Sequence, residues 1–316
     1  MNVPPPLVSF SELDDFLKAL GEAASTAQSQ RLLALHKKRL PPVDSATTLA
    51  VLFGYSPRFI HSMRIRPQRY YRSFSIRTGS KARQIQAPRV AIKVIQTWFG
   101  HYLARGIEWH HCVHGFVPER STISAASAHC KADSVLSLDI REFFPSVSRV
   151  AVKQALTKIG YHGHAVNVIA DLTTLNGKLP QGAPTSPVLA NLVFEPIDSL
   201  LSELASKRGL VYTRYADDIT LSGDSSEVKA AQKEFEAVIT RNDYSIAAEK
   251  TQYFGPRDRK SVLGLIVTGR APRLPKKYRN RVRLYRHLLA TEELDEFTKL
   301  RLRGHISYAD SVEKQS

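Results

Sequence analysis

The sequence predicts an α+β fold in which helices and antiparallel strands share a core. Apolar residues recur with helical spacing near both ends of the chain, and β-prone runs joined by short turns lie between them. With 316 residues, 43% of them hydrophobic, the chain is long enough to bury a full core. It is therefore expected to fold as one unit with subdomains.

Two helices are predicted near the N-terminus. Ahead of the first, Ser9 and Glu12 have the spacing of a capping box. The apolar face of this helix consists of Leu13, Phe16, Leu17 and Leu20. The second helix is expected from Gln28 to Leu40, where two prolines follow. Neither helix carries side chains that suggest chemistry, so both are interpreted as scaffold.

Three β-prone segments are predicted in the middle of the chain. The first, from Tyr70 to Ile85, contains a turn at residues 78–81 and forms a basic hairpin. A helix from Ala91 to Leu103 follows it. The second segment is a strand from Val135 to Ile140, and the third is a hairpin from Leu210 to Ser222. The last two segments carry aspartates, which are the first candidates for chemistry.

Three aspartates are candidate metal ligands. Asp139 lies on the strand face opposite to Leu138 and Ile140, so its carboxylate is expected to point away from the more apolar side. Asp217 and Asp218 are adjacent at the predicted turn of the last hairpin. Adjacent acids at a turn are most often merely solvated. A third carboxylate on a strand, however, completes a donor set for two-metal phosphoryl transfer, because Mg²⁺ prefers oxygen ligands and keeps several waters.

The charge balance indicates a polyanionic partner. Lys and Arg number 45 against 29 Asp and Glu, which gives a formal charge of +16 and a pI near 9.9. Nucleic acid is the first choice. An anionic membrane would attract the same charge, but the sequence contains no apolar run near the roughly 20 residues of a spanning helix and no signal sequence. The protein is expected to be soluble and cytoplasmic, with no membrane partner.

A basic segment near the C-terminus is a concentrated phosphate-binding signal. Residues 270–287 contain eight Lys or Arg and no acid. If residues 276–289 form a helix, Arg279, Arg283 and Arg286 share one face. Val282, Tyr285 and Leu289 would then line another face that packs inward. A merely solvated basic face is the alternative interpretation.

The cysteines and histidines are interpreted as structural. Cys112 and Cys130 are too few for a disulfide scaffold and are expected to be reduced. A zinc site is the alternative, since His110 and His114 are four residues apart, as two ligands on a helix would be. No CxxC pair accompanies them, which disfavours zinc.

Three motifs give the aspartates a family context. Tyr215-Ala216-Asp217-Asp218 resembles the YxDD motif of reverse transcriptases. The segment LDIREFFPS, from Leu138 to Ser146, resembles the motif that carries the first catalytic aspartate of that family. The segment LPQGAPTSP, from Leu179 to Pro187, resembles the LPQGxPxSP motif that lies against the incoming nucleotide and template. The motifs occur in the family's order, and the similarity covers about residues 45 to 310.

The resemblance implies a right-hand polymerase fold with fingers, a palm that contains an antiparallel sheet, and a small helical thumb. Residues 1–130 are expected to form the N-terminal helices and fingers, 131–262 the palm with the catalytic aspartates, and 263–316 the thumb and RNA-recognition region. Smaller matches to the family are Lys81-Ala82-Arg83, His114-Gly115-Phe116 and Leu263-Gly264.

The resemblance also implies the roles of the catalytic residues. Asp139, Asp217 and Asp218 would hold two Mg²⁺ ions, with Mn²⁺ as the alternative ion. Lys250, in the motif that follows the aspartate pair, would protonate the departing pyrophosphate. These four residues are the expected catalytic set, and an exposed lysine without a catalytic role is the alternative for Lys250.

Five residues are expected at the incoming nucleotide. Arg83 and Lys81 would close on the triphosphate, because a guanidinium suits phosphate oxygens. Phe144 is found where the family has a bulky ring under the sugar, so that a ribose 2′-OH would clash and deoxynucleotides are favoured. Gln181 and Gly182 would let a loop backbone approach the nucleotide closely.

Three features point to the retron branch of the family. About fifty residues follow Gly264, too few for an added RNase H, integrase or endonuclease domain. Val267-Thr268-Gly269 matches the VTG triplet with which retron enzymes recognise their own RNA. The NAxxH element of retron enzymes is present in part, since His129 matches and Ala125 replaces the Asn. The residues expected to bind RNA are His129, Val267, Thr268, Gly269, Lys276, Lys277, Arg279, Arg283 and Arg286.

A retron enzyme would copy a noncoding RNA made from its own locus, starting from the 2′-OH of an internal guanosine, and make a branched RNA-DNA (msDNA) from dNTPs. Host RNase H would act on the product, and a co-encoded effector in anti-phage defence is the implied protein partner. Two alternatives remain. One is a group II intron or diversity-generating reverse transcriptase, and the other is a non-catalytic RNA-binding scaffold, which the three intact aspartates disfavour.

Overall fold

The computed structural model describes residues 7–21, 25–78 and 81–315, except for the side chains of Thr78 and Lys81. In chain order, its helices are α1 (Leu13–Leu20), α2 (Thr26–Lys37), α3 (Ala46–Phe53), α4 (Pro57–Ile65), α5 (Val90–Gly106), α6 (Thr122–Ser127), α7 (Phe143–Ser146), α8 (Arg149–Ile159), α9 (His164–Thr173), α10 (Ser186–Lys207), α11 (Ser225–Arg241), α12 (Lys276–Thr291) and α13 (Glu296–Glu313). Its strands are β1 (Tyr71–Thr78), β2 (Lys81–Pro88), β3 (Ser134–Asp139), β4 (Val211–Tyr215), β5 (Asp218–Gly223), β6 (Gln252–Phe254), β7 (Ser261–Val262) and β8 (Leu265–Ile266).

The chain divides into two compact units. The first contains Met1–His110, Phe116–Pro118 and Glu142–Pro196, and the second contains His111–Gly115, Glu119–Arg141 and Ile197–Ser316. The predicted boundaries of the fingers, palm and thumb do not coincide with the limits of these two units, and the three subdomains stay a prediction. No helix within the described ranges combines the length and the apolar character that a membrane span requires.

The first unit is helical around one hairpin. α3 contacts both α1 and α4, and the helices bury Phe16, Leu52, Ile60 and Met63 completely. β1 and β2 pair antiparallel from Tyr71 opposite Pro88 to Thr78 opposite Lys81, which confirms the predicted hairpin. Residues 79 and 80 of its predicted turn lie outside the described residues.

The first predicted helix is confirmed, but the predicted capping box is wrong. Glu12 is the N-cap residue of α1 and makes no side-chain capping hydrogen bond. The Ser9 hydroxyl donates instead to the carbonyl oxygen of Leu52, over 3.3 Å. The second helix begins earlier than predicted, because the Ser25 hydroxyl oxygen accepts a hydrogen bond from the amide of Gln28 at its start. It also ends earlier, at Lys37.

The second unit is built on a four-stranded antiparallel sheet with strand order β4-β5-β3-β6. β4 and β5 form the predicted hairpin. β3 lies between β5 and β6 and pairs with β5 from Ser134 opposite Gly223 to Asp139 opposite Asp218. α11 contacts both β3 and β5. The strand that carries Asp139 is therefore a central strand, held by neighbours on both edges.

Both faces of β3 are buried, which corrects the expected contrast between an apolar and a polar face. Leu136 and Leu138 on one face and Val135 on the other are at most 1% exposed. The Val135 face is covered because the C-terminal region of the chain packs on it. This cluster consists of Ile123, Ala126, Val135, Val262, Leu265, Val267, Leu274, Val282, Ala309 and Val312.

Candidate active site

The three aspartates lie around the turn between β4 and β5. Asp218 begins β5 and pairs in register with Asp139, the last residue of β3. Directly opposed residues of an antiparallel pair have Cβ atoms about 5 Å apart, so these two carboxylates share one end of the sheet. Asp217 lies in the turn, and its carbonyl oxygen accepts a 2.9 Å hydrogen bond from the amide of Ile140. The turn is therefore tied to the strand that carries Asp139.

The turn is as short as a hairpin allows. Tyr215 and Asp218 form the last pair of the hairpin, which leaves only Ala216 and Asp217 between the strands. Ala216 has φ of +54°, in the left-handed region that a residue with a side chain seldom adopts. This conformation brings Asp217 and Asp218 to consecutive positions at the end of the sheet.

The carboxylates repel one another electrostatically. Burial, followed by the negative charges of Asp217 and Asp139, raises the pKa of Asp218 to about 6, and the Lys250 ammonium opposes this shift. Such repulsion disfavours ionised carboxylates unless a cation lies among them. Oxygen donors held together at the cost of mutual repulsion fit a divalent cation such as Mg²⁺.

Lys250 supplies one positive charge to this cluster. Its Nζ donates a hydrogen bond to Oδ1 of Asp139 over 2.5 Å. Among the described residues, no three His, Cys, Asp or Glu side chains already surround a common point as metal ligands. Metal binding by Asp139, Asp217 and Asp218 therefore stays a prediction.

A buried charged network supports the β4–β5 hairpin, and sequence reasoning missed it. Arg214 and Asp198 are fully buried and form a two-pronged ion pair. Tyr212 also donates its hydroxyl hydrogen to Asp198, over 2.7 Å. The only signal in the sequence was an arginine inside a β-prone run directly before the YxDD motif, and it gave no indication of the partner.

The predicted nucleotide loop packs on the hairpin of the first unit. The carbonyl oxygen of Gln181 accepts a 2.8 Å hydrogen bond from the amide of Gln86. Gly182 has φ of +115°, and a Cβ atom there would lie 2.9 Å from Cγ2 of Ile85. The glycine is thus required for close packing of the loop on β2, a reason that the sequence did not reveal.

The other residues that are expected to bind the nucleotide lie in the same unit. Arg83 is exposed on β2 opposite Ile76, and the Gln181–Gly182 loop is hydrogen-bonded to the same strand at Gln86. Phe144 is half-buried, with its ring centroid 5.6 Å from that of Phe143. The side chain of Lys81 lies outside the described residues. Nucleotide binding by these residues stays a prediction.

His129 is a buried structural residue, which corrects the expectation that it contacts RNA. It is fully buried, and its Nδ1 and Nε2 are each 2.7 Å from a hydroxyl oxygen, those of Ser222 and Thr213. Burial lowers its pKa to about 3, with a further contribution from His114. The imidazole is therefore neutral and crosslinks β4 and β5.

The VTG triplet divides into a buried and an exposed part. Val267 is fully buried in the cluster on β3, so its side chain cannot reach RNA and this part of the expectation is wrong. Thr268 is exposed. At Gly269 a Cβ atom would lie 2.1 Å from a guanidinium nitrogen of Arg273, so the glycine makes room for that side chain.

The basic segment forms the predicted helix α12. Lys276, Lys277, Arg279 and Arg283 are exposed, and Val282 is buried as predicted. Arg286 differs from the others because its guanidinium donates to Asp310 on α13 over 2.5 Å and lies 3.8 Å from Glu313.

Comparison with known proteins shows which family this chain resembles. Residues 77–267 match the sequence model of the reverse transcriptase (RNA-dependent DNA polymerase) family. The chain is 30% identical to the retron Ec86 reverse transcriptase of Escherichia coli over 75% of this chain and 73% of that protein. It is 32% identical to the retron Mx162 reverse transcriptase of Myxococcus xanthus over 72% of this chain and 54% of that protein.

A third retron reverse transcriptase is similar over a larger share of this chain. The retron Mx65 reverse transcriptase of Myxococcus xanthus is 31% identical over 84% of this chain and 66% of that protein. The matched region thus spans between about half and three quarters of these relatives. Among solved structures, telomerase from Candida albicans aligns with a TM-score of 0.46 and 11% identity, over 69% of this chain and 50% of that one.

Proposed function

We propose that this chain, which belongs to the reverse transcriptase family and is an RNA-directed DNA polymerase of the retron type, copies a structured noncoding RNA made from its own locus. One observation supports the chemistry above all. Asp139 and Asp218 face each other in register on two central strands, with Asp217 in the adjoining turn. Three carboxylates thus lie near one end of the sheet, which supports a metal site there.

The chain's residues have separate tasks in nucleotide addition. Asp139, Asp217 and Asp218 would hold two Mg²⁺ ions, which would supply activation of the attacking hydroxyl and stabilisation of the leaving pyrophosphate. The carboxylates are fixed by strand pairing before the substrate arrives, so little reorganisation accompanies the reaction. Lys250 gives a proton to the departing pyrophosphate. That role is supported by its ammonium group lying beside Asp139.

Deoxynucleoside triphosphates are the proposed substrates. Arg83 binds the triphosphate, with Lys81 as a second cation on the same hairpin. Phe144 excludes the ribose 2′-OH with its ring, which packs on the buried Phe143 and is therefore held in place. The Gln181–Gly182 loop, anchored to β2, forms a surface for the base and the template.

The cognate RNA binds the second unit. Lys276, Lys277, Arg279 and Arg283 present exposed charges along α12 that suit a phosphate backbone. Within the VTG triplet, Thr268 is exposed and Gly269 partly exposed, so these two residues are the proposed RNA contacts. The proposed primer is the 2′-OH of an internal guanosine of that RNA, so the product is a branched RNA-DNA.

The wider setting of this activity follows from the retron assignment. Host RNase H trims the RNA from the copied DNA, and the branched product works in the cytoplasm with a co-encoded effector in defence against phage. These proposed partners rest on the relationship to retron reverse transcriptases.

The proposal is tested with the chain and the RNA transcribed from the DNA next to its gene. Both are incubated with labelled dNTPs and Mg²⁺, and the product is treated with RNase and then with a 2′,5′-debranching enzyme. We expect labelled DNA joined to one guanosine, which shortens on debranching. DNA made only from an added primer would contradict retron priming. No DNA on any RNA template would contradict the polymerase activity itself.

A further inference from the structure

The turn between β4 and β5 is contacted by a buried arginine, Arg214, and by a glycine, Gly115. Besides its ion pair, Arg214 donates a hydrogen bond from Nη1 to the carbonyl oxygen of Ala216 over 3.1 Å. This oxygen belongs to the residue whose positive φ shapes the turn. One guanidinium thus joins the buried carboxylate of Asp198 to the turn that carries Asp217.

Asp198 fixes the orientation of that guanidinium. Its two oxygens accept from Nε and Nη2 of Arg214 over 2.8 and 2.5 Å. Two parallel hydrogen bonds define the plane of a guanidinium, which leaves Nη1 directed at Ala216. A lysine ammonium has no such plane and could not hold the carboxylate and the turn in one geometry.

Gly115 supports the same turn from the main chain. The amide of His114 donates to the carbonyl oxygen of Arg214 over 2.8 Å, and the amide of Arg214 donates to the carbonyl oxygen of Cys112 over 2.8 Å. This pairing brings Gly115 against the turn, where an added Cβ atom would lie 2.6 Å from the amide nitrogen of Ala216. The backbone of Gly115 therefore packs directly against the backbone of Ala216, and a side chain at position 115 would not fit.

We propose that Gly115, Asp198 and Arg214 form a turn seat, a set of positioning residues that fixes the Ala216–Asp217 turn and so sets the spacing of the metal-binding carboxylates. A left-handed alanine persists only where its surroundings hold it. Loss of the turn seat lets Ala216 relax toward negative φ, which moves Asp217 relative to Asp218. Metal affinity and the rate of chemistry then fall, whereas RNA binding does not.

The turn seat rests on the proposed function, because it gives the aspartates their metal-binding role. Its test therefore uses a readout that does not need polymerisation. Mn²⁺ binding to the full chain is measured by the electron paramagnetic resonance signal of the free ion. DNA synthesis by the wild-type chain is measured in parallel, so failure of the proposed function appears there and not in the comparison of variants.

The principal variant replaces the whole ion pair, Asp198→Leu with Arg214→Met. A buried ion pair can often be exchanged for apolar residues of similar volume without loss of the fold, so this variant separates positioning from stability. We expect about tenfold to a hundredfold weaker Mn²⁺ binding, as is typical when residues that orient metal ligands are removed. The kcat of DNA synthesis falls with it, and KM for dNTP and RNA affinity are unchanged.

Two further variants complete the test. Gly115→Ala presses on Ala216 without removing a charge, and we expect the same loss of Mn²⁺ affinity. Arg208→Met is the control, since it removes an arginine of the same unit that pairs with Glu227 and Glu234 near the surface, and it should bind Mn²⁺ like the wild type.

Folding of each variant is checked by circular dichroism and thermal unfolding. If the double variant does not fold, Gly115→Ala decides the matter alone. Wild-type Mn²⁺ affinity and kcat in either folded variant would overturn the turn seat and leave the ion pair a purely structural feature.

Discussion

Lys250 donates a hydrogen bond from Nζ to Oδ1 of Asp139 over 2.5 Å, so the structure pairs this carboxylate with an ammonium group. The Lys250 side chain remains 34% exposed and the Asp139 side chain 13% exposed. The lysine can therefore be reached from solvent while the carboxylate is nearly enclosed. A cationic group beside the acids can both relieve their repulsion and act on a leaving pyrophosphate.

Lys250→Met should slow nucleotide addition about a hundredfold, because a positioned general acid contributes about that much to a proton-transfer step. Rapid-quench measurement of single-nucleotide addition checks this expectation. Lys233→Met removes an exposed lysine of α11 and serves as the matched control. Equal rates for both variants would remove Lys250 from the catalytic set.

Asp218 should make the metal-free protein less stable as the pH rises. The pKa of this carboxyl is raised from 3.8 to about 6 in the folded state, so its stabilising effect is complete below about pH 4 and is lost as the pH rises through about 6. The loss is about 1 to 2 kcal/mol for a carboxyl that solvent partly reaches.

The comparison with Asp218→Asn isolates this effect. In EDTA, we expect the variant and the wild type to have equal free energies of unfolding at pH 4, and the variant to be more stable by that amount at pH 7. Urea unfolding at both pH values gives the result. A difference that does not change with pH would show that the aspartates do not repel one another as described.

Phe144→Ala should admit ribonucleotides. Removing the ring opens space where the sugar 2′-OH would lie, and the preference for dNTP over NTP should fall about tenfold to a hundredfold. Competition between dGTP and GTP in single-nucleotide addition measures it. Leu200→Ala, which truncates an exposed side chain on α10, is the control. Unchanged discrimination by the Phe144 variant would end its proposed role at the sugar.

Two arginines of α12 should contribute to RNA binding while a third should not. Each phosphate contact adds about 0.9 to the salt slope of duplex binding, so Arg279→Gln and Arg283→Gln should each lower the slope by about that amount. Arg286→Gln should change it less, because that guanidinium is paired with Asp310 and Glu313. Fluorescence anisotropy at several salt concentrations compares the three variants, and equal slopes would contradict the distinction.

Much of the local structure could be predicted because it depends on residues close in sequence. The β-prone runs at residues 135–140 and 210–222 predicted the strands observed there, and the adjacent acids marked the turn between β4 and β5. The inward face of α12 was also correctly identified at Val282. Local sequence thus selected these elements, and for α12 the helical period also selected the buried face.

The features that could not be predicted depend on contacts between residues distant in sequence. The partner of Arg214 is Asp198, which lies sixteen residues earlier on a different element, and no local pattern links them. His129 matched a family element but is buried between two hydroxyl groups. Val267 likewise belongs to a core that forms only when the C-terminal region covers β3. Motif matching identified these positions without revealing whether the side chain faces solvent or the interior.

The most direct test of the metal-binding role of the aspartates is DNA synthesis by the double variant Asp217→Asn with Asp218→Asn. Loss of two carboxylates should lower dNTP incorporation at least about a thousandfold, equivalent to about 4 kcal/mol of transition-state stabilisation. Binding of the cognate RNA should stay within about twofold of the wild type, because the exposed cations of α12 are untouched. Primer extension at the wild-type rate by this variant would contradict the assignment of Asp139, Asp217 and Asp218 as the catalytic metal site.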